Sequence, residues 1–170
     1  MATLDQSPRI LVVDDDSATL RLLTAYLVSD GYDVVTAGSE HEVVGYFEST
    51  KFDVVLLDLI RTPLGRVRIC RRIKQSACGK LTPVVVSADA QTLSGRDELH
   101  EAGADDFICK PYRRTELLLR IGAMLRSGSL NCKLQDKTIE LKSAKTLLRK
   151  QAVRLASGPE SPSSPHDRRL

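Results

Sequence analysis

Four short apolar runs in this 170-residue chain each stop at a side chain with chemistry to offer, and that repetition narrows the available folds more than any other feature. The longest, Phe52-Asp53-Val54-Val55-Leu56-Leu57, ends at Asp58. Ile10-Leu11-Val12-Val13 runs into Asp14-Asp15-Asp16, Val84-Val85-Val86 into Ser87, and Phe107-Ile108-Cys109 into Lys110-Pro111. Val and Leu without alternation suit strands buried on both faces, as in a parallel sheet covered by helices. Sheets of that kind collect ligands at the C-terminal ends of their strands. The chain therefore delivers carboxylates, a hydroxyl and an ammonium to one edge.

Helical patterns fill the intervals. Ser17 is a candidate cap for a first helix carrying Leu20, Leu23, Leu27 and Val28, which ends at Asp30-Gly31. Asp33 to Thr36 is a short second strand, and Ser39 with Glu42 is a capping box that opens a helix with Val43, Val44 and Phe47. Thr62-Pro63-Leu64-Gly65 reads as a loop, and Arg66 to Lys74 as a basic amphipathic third helix with Val67, Ile69, Cys70 and Ile73 on its apolar side. The fourth strand spans Thr82 to Ser87, a weak helix follows from about Gln91 to Ala102, and Gly103 ends it. Asp106 to Cys109 is the fifth strand, and Tyr112 to about Arg126 a strong fifth helix. Five β-α units in succession predict an α/β fold, a doubly wound five-stranded parallel sheet with right-handed crossovers.

Beyond Arg126 the pattern changes. Ser127-Gly128-Ser129 is a break or a weak spot, after which Leu134, Leu141, Leu148 and Leu155 recur every seven residues. The predicted organisation is a domain over 8–127, a helical extension over 128–156 that is either a coiled-coil seam or a solvated helix, and a disordered tail over 157–170 rich in Pro and Ser. Charge divides the same way. Residues 1–127 hold 16 Lys and Arg against 18 Asp and Glu, and residues 128–170 hold 9 against 4. The mildly acidic unit and the basic extension are expected to serve different purposes. No apolar run is long enough to span a membrane, and the N-terminus lacks a signal-peptide pattern, so a cytoplasmic location is expected. Four cysteines without CxxC or zinc spacing are expected as reduced thiols. His41 and His100 fall on helices with no partner in the pattern and read as surface residues.

Three carboxylates from two strand ends, Asp14, Asp15 and Asp58, would repel one another in a cleft. Mg2+ removes that conflict, since it takes oxygen ligands and is held by one or two carboxylates plus phosphate oxygens. A hydroxyl at Ser87 and a cation at Lys110 complete a set able to hold a phosphoryl group, with Asp58 as the central nucleophile.

With these residues in this order, the sequence resembles the receiver domain of two-component response regulators, over residues 8 to about 127. The resemblance rests on Asp14-Asp15-Asp16 after the first strand, Asp58 after the third, Ser87-Ala88 after the fourth and Lys110-Pro111 after the fifth. It implies a flavodoxin-like receiver fold and a phosphoryl group accepted on Asp58 from a sensor histidine kinase or phosphotransfer protein. It implies Mg2+ on Asp15 and Asp58, with Asp14 holding a metal-bound water and the Ile60 carbonyl completing the protein ligands. It further implies that Ser87 contacts the phosphoryl group, that Lys110 pairs with it beside a cis bond to Pro111, and that Phe107 is a switch aromatic. On the same ground the protein is a signalling regulator that acts only on itself, rather than an enzyme.

This sequence departs from the family pattern at two places. After Asp58, Pro63 is five residues on and Gly65 seven, where the family usually has Pro at four and Gly at eight, places filled here by Thr62 and Arg66. The interval from Pro83 to Ser87 is one residue short, which points to a register shift in the fourth strand. A phosphate-independent interaction module assembling through the C-terminal helix is the alternative. A second copy of the chain, through that helix or the fourth and fifth helices, is a further partner, and neither a specific nucleic acid nor a membrane is expected. Nonspecific DNA binding through the basic extension and an aspartate-nucleophile phosphatase are weaker readings, the latter because Ile60 stands where a second acid is wanted.

Overall fold

A computed structural model of the chain describes residues 7–58, 63–89 and 96–156. Five strands, β1 (Arg9–Asp14), β2 (Asp33–Ala37), β3 (Val54–Asp58), β4 (Val84–Asp89) and β5 (Asp106–Lys110), form one sheet in the order β2-β1-β3-β4-β5. Every pairing is parallel. The helices are α1 (Ser17–Ser29), α2 (Glu40–Ser49), α3 (Pro63–Gln75), α4 (Arg96–Glu101) and α5 (Arg114–Ala156). The predicted α/β architecture is the observed one.

The lack of alternation in the strands follows from burial on both faces. Leu11, Val13, Val55, Leu57, Val84 and Val86 join Val43, Phe47, Ile69, Ile73 and Leu99 in one core cluster, beneath α2, α3 and α4. Their strand neighbours Ile10, Val12, Val54, Leu56 and Val85 join Leu23, Leu27, Leu117 and Ile121 in a second, beneath α1 and α5. Successive side chains of a strand face opposite sides, so each strand serves two cores at once. Within the first cluster, burial pushes the Cys70 thiol up to about 12, which makes it an inert core residue.

Several element ends differ from expectation. The cap of α1 is Asp16 rather than Ser17, its carboxylate accepting from the backbone N–H groups of Ala18 and Thr19. Val28 keeps helical spacing yet is 54% exposed, so it lies at the edge of the apolar stripe. The capping box of α2 forms, Ser39 Oγ accepting from Glu42 N–H while the Glu42 carboxylate accepts from Gly38 N–H. Pro63, Leu64 and Gly65 open α3 instead of preceding it, a position where proline's missing N–H costs nothing. Thr62, Ile60 and the expected start of the fourth helix from Gln91 lie outside the described residues. Arg66, in the first turns of α3, is buried. Strand β4 begins two residues later than expected and runs on to Asp89, because Ala88 and Asp89 pair with Cys109 and Lys110 of β5. Cys109 is only partly buried.

The chain divides into two compact units, Met1–Cys132 and Lys133–Leu170. In the first, α5 passes through Ser127-Gly128-Ser129 without interruption. In the second, Leu134, Leu141 and Leu148 are 66%, 71% and 66% exposed. The expected tail over 157–170 lies outside the described residues. No helix among the described residues is long and apolar enough to cross a membrane.

Candidate functional site at the strand ends

Parallel register brings two carboxylates together. Asp14 and Asp58 are direct partners at the ends of β1 and β3, and both are fully or almost fully buried. Ser87 is fully buried one step beyond the paired residues Leu57 and Val86, level with Asp58. Whatever the short interval from Pro83 implied, the observed register sets Ser87 level with the central carboxylate. From β5, the Lys110 ammonium forms an ion pair with Asp58 Oδ2, and the Lys110–Pro111 peptide bond is cis. Removing one member of such a pair strands the other as a buried charge, which is far costlier than replacing both.

The electrostatics are those of crowded like charges relieved by the Lys110 ammonium. Burial raises the Asp14 carboxyl to about 6, against the hydrogen bond it accepts from Asp16 N–H at 2.8 Å and with a further upward push from Asp58. For Lys110, burial acts to lower the pKa, but the hydrogen bond and charge of Asp58, helped by Asp14, outweigh it and hold the ammonium protonated. Asp14 Oδ2 is buried without a hydrogen-bond partner among the described residues.

Asp15 is half-buried beside Asp14 and adds slightly to its raised pKa. It does not complete a group of three: among the described residues, no three His, Cys, Asp or Glu side chains come together as a metal site. What the structure gathers is Asp14, Asp58, Ser87 and Lys110, and the expected ligand Ile60 lies outside the described residues. Two hard carboxylates, one with an orphaned buried oxygen, still suit Mg2+, which keeps several waters and needs only one or two carboxylates from the protein. Phe107 is half-buried against the first core cluster, with the Arg96 guanidinium over its ring.

Tyr112 belongs to this pocket and was missed by the reading of motifs. It packs against the second core cluster, and its hydroxyl lies beside Ser87. Ser87 Oγ has no hydrogen bond of good geometry among the described residues, although the Tyr112 hydroxyl is close enough to interact with it. Burial raises the Tyr112 pKa, opposed by that Ser87 contact and raised further by Asp58. The only signal in the sequence was a polar tip two residues past Lys110.

Comparison with known proteins agrees with this geometry. A family model for the response regulator receiver domain matches residues 10–122. Transcriptional regulatory protein ResD of Bacillus subtilis is 34% identical over 121 residues, covering 71% of this chain and 49% of ResD. Response regulator MprA of Mycolicibacterium vanbaalenii is 36% identical over 118 residues, covering 69% and 50%. This chain spans about half the length of these curated relatives. Among solved structures, the receiver domain of sensor histidine kinase PA1611 from Pseudomonas aeruginosa superposes with a TM-score of 0.63 at 25% identity, covering 70% of this chain and 98% of that one. That crystal structure has a magnesium ion coordinated in its active site cleft. A receiver domain protein from Methanospirillum hungatei shares the fold with a TM-score of 0.65 at 24% identity, covering 74% and 98%. With a matching family model over most of its length, relatives above 30% identity and the same sheet, the chain belongs to the response regulator receiver domain family.

Proposed function

We propose that Asp58 accepts a phosphoryl group from a phosphohistidine on a sensor histidine kinase or phosphotransfer protein, and that the new charge switches protein–protein contacts. A carboxylate oxygen of Asp58 forms the O–P bond as the N–P bond of the donor breaks. The leaving imidazole keeps the electron pair and takes a proton from solvent. Lys110 exchanges its place on the Asp58 carboxylate for a phosphoryl oxygen, and the Ser87 hydroxyl donates to another. Asp14 and Asp58, with Asp15 and the Ile60 carbonyl, would hold Mg2+, which when bound supplies neutralisation of the phosphoryl oxygens. The chemistry is confined to the protein's own carboxylate, so the chain acts as a regulator rather than an enzyme. Residues 8–127 would carry the switch, and the helix over 128–156 would serve assembly with a second copy.

The observation that carries this reading is the buried Asp58–Lys110 ion pair beside Asp14, whose outer oxygen has no hydrogen-bond partner among the described residues. The test is incubation with Mg2+ and acetyl phosphate, followed by intact mass and hydroxylamine treatment. A hydroxylamine-labile phosphoryl adduct, absent in Asp58→Asn, is expected. An unmodified chain beside a modified control receiver would overturn the proposal.

A further inference from the structure

Two residues past Lys110, an apolar ring alone would satisfy the packing against the second core cluster. The chain has tyrosine there, and its hydroxyl lies beside the fully buried Ser87 hydroxyl, within reach of the charges of Asp58, Lys110 and Asp14. A buried hydroxyl is costly to leave unpaired, and among the described residues Ser87 Oγ has no bond of good geometry. We propose that Tyr112 is a positioning residue for Ser87: the two hydroxyls form a relay directed at Asp58, and the relay favours the phosphoryl-bearing state over the unmodified one. This inference rests on the reading of Asp58 as a phosphoryl acceptor.

The preference follows from donor and acceptor counting. A hydroxyl has one proton to give and two lone pairs to receive. In the unmodified protein, Lys110 occupies Asp58 Oδ2 and the Ser87–Tyr112 contact joins two neutral groups. When Ser87 donates to an anionic phosphoryl oxygen, its lone pairs are free to accept from Tyr112. Bonds to a charged acceptor are about twice as strong as neutral ones, and each bond in a chain polarises the next. The Tyr112 bond therefore strengthens only when the anion is present, which is the differential contact a shift of states requires. Burial keeps the phenol protonated and able to donate at neutral pH.

Beryllofluoride, a phosphoryl mimic that binds a carboxylate, is the probe. The full chain with saturating Mg2+ is titrated with it and followed by backbone amide NMR, for wild type, Tyr112→Phe, Ser87→Ala and the double variant. Tyr112→Phe removes one atom and keeps the ring, and thermal melts verify that each variant folds. Tyr112→Phe is expected to bind about five- to tenfold more weakly, the worth of one net hydrogen bond. Added to Ser87→Ala it should cost nothing further, because its effect passes through that hydroxyl. Equal affinity of wild type and Tyr112→Phe overturns the inference, as does an undiminished Tyr112→Phe penalty in the Ser87→Ala background. A wild-type chain that takes up no beryllofluoride where a control receiver does brings down the phosphoryl reading itself, and the relay with it.

Discussion

The guanidinium of Arg96, at the start of α4, lies over the ring of Phe107 in β5, 5.1 Å from its centroid. An arginine face-on to an aromatic ring is attracted by the ring's quadrupole, by about 0.5–1 kcal/mol at an exposed site. The contact ties a short helix to the residue that the family resemblance marks as a switch. Arg96→Ala is expected to lose about 0.5–1 kcal/mol in urea denaturation, with Arg96→Lys recovering part of it. The Phe107 ring resonances should move in the alanine variant. Unchanged stability together with unchanged ring shifts would show that the stacking does no work.

If the pocket seats Mg2+, binding must stabilise the folded chain by mass action. At ten times the dissociation constant the gain is about 1.4 kcal/mol, seen as a rise of a few degrees in melting temperature. Asp14→Asn and Asp58→Asn should each abolish the response, but in the metal-free protein Asp14→Asn should raise the melting temperature by relieving the crowded carboxylates, whereas Asp58→Asn should lower it by stranding the Lys110 ammonium. A variant that keeps the full Mg2+ response would place the ion elsewhere.

Stability at low pH should report on the join between α2 and α3. Arg68 Nε donates to both oxygens of Glu40 at 2.8 Å, and this contact holds the Glu40 carboxyl below its ordinary value. A depressed carboxyl contributes stability that is present above its unfolded pKa and is lost as pH falls through the folded one. The Glu40 side chain is 25% exposed and that of Arg68 64%, so solvent screening keeps the contribution of the pair small. A double-mutant cycle with Glu40→Gln and Arg68→Gln should give a small favourable coupling near neutral pH that shrinks as pH falls through the lowered Glu40 pKa. Coupling unchanged across that fall in pH would mean packing, not charge, joins the two helices.

The sheet was legible because its rule is simple: an apolar run that does not alternate must be covered twice, and the polar residue ending it must lie at the sheet's edge. The same rule placed Asp14, Asp58, Ser87 and Lys110 at one end before any coordinates. Local choices were harder. Asp16 and Ser17 are both good caps, and only the backbone at the entry of α1 selects the aspartate. Ser87 looked like a strand terminus, but pairing with β5 carries β4 two residues further. Tyr112 could not be separated from a packing aromatic, since its ring does pack and only its hydroxyl reaches the pocket. Asp15, the next residue after β1, is half-buried, so its place at the strand end was legible while its share in the pocket was not.

Gly128 shows why a glycine inside a helix is ambiguous on paper. It reads as a weak point, yet α5 runs through it and the residue is buried. A Cβ there would stand 3.1 and 3.2 Å from Cγ and Cδ of Pro83 and 3.7 Å from the carbonyl oxygen of Asp53. Pro83 is a rigid ring whose carbonyl accepts from Val55 N–H at 2.9 Å, so it has little room to retreat. Gly45, in α2, is the control, because a Cβ there meets nothing within 4 Å. Helix propensity alone favours alanine over glycine by about 0.8–1 kcal/mol at either site. Gly45→Ala should realise most of that gain in urea denaturation, Gly128→Ala should not, and Gly128→Val should lose about 1–3 kcal/mol through overpacking. An equal gain from alanine at both positions would mean that α5 does not depend on a close approach to Pro83, and that Gly128 is the weak point it first resembled.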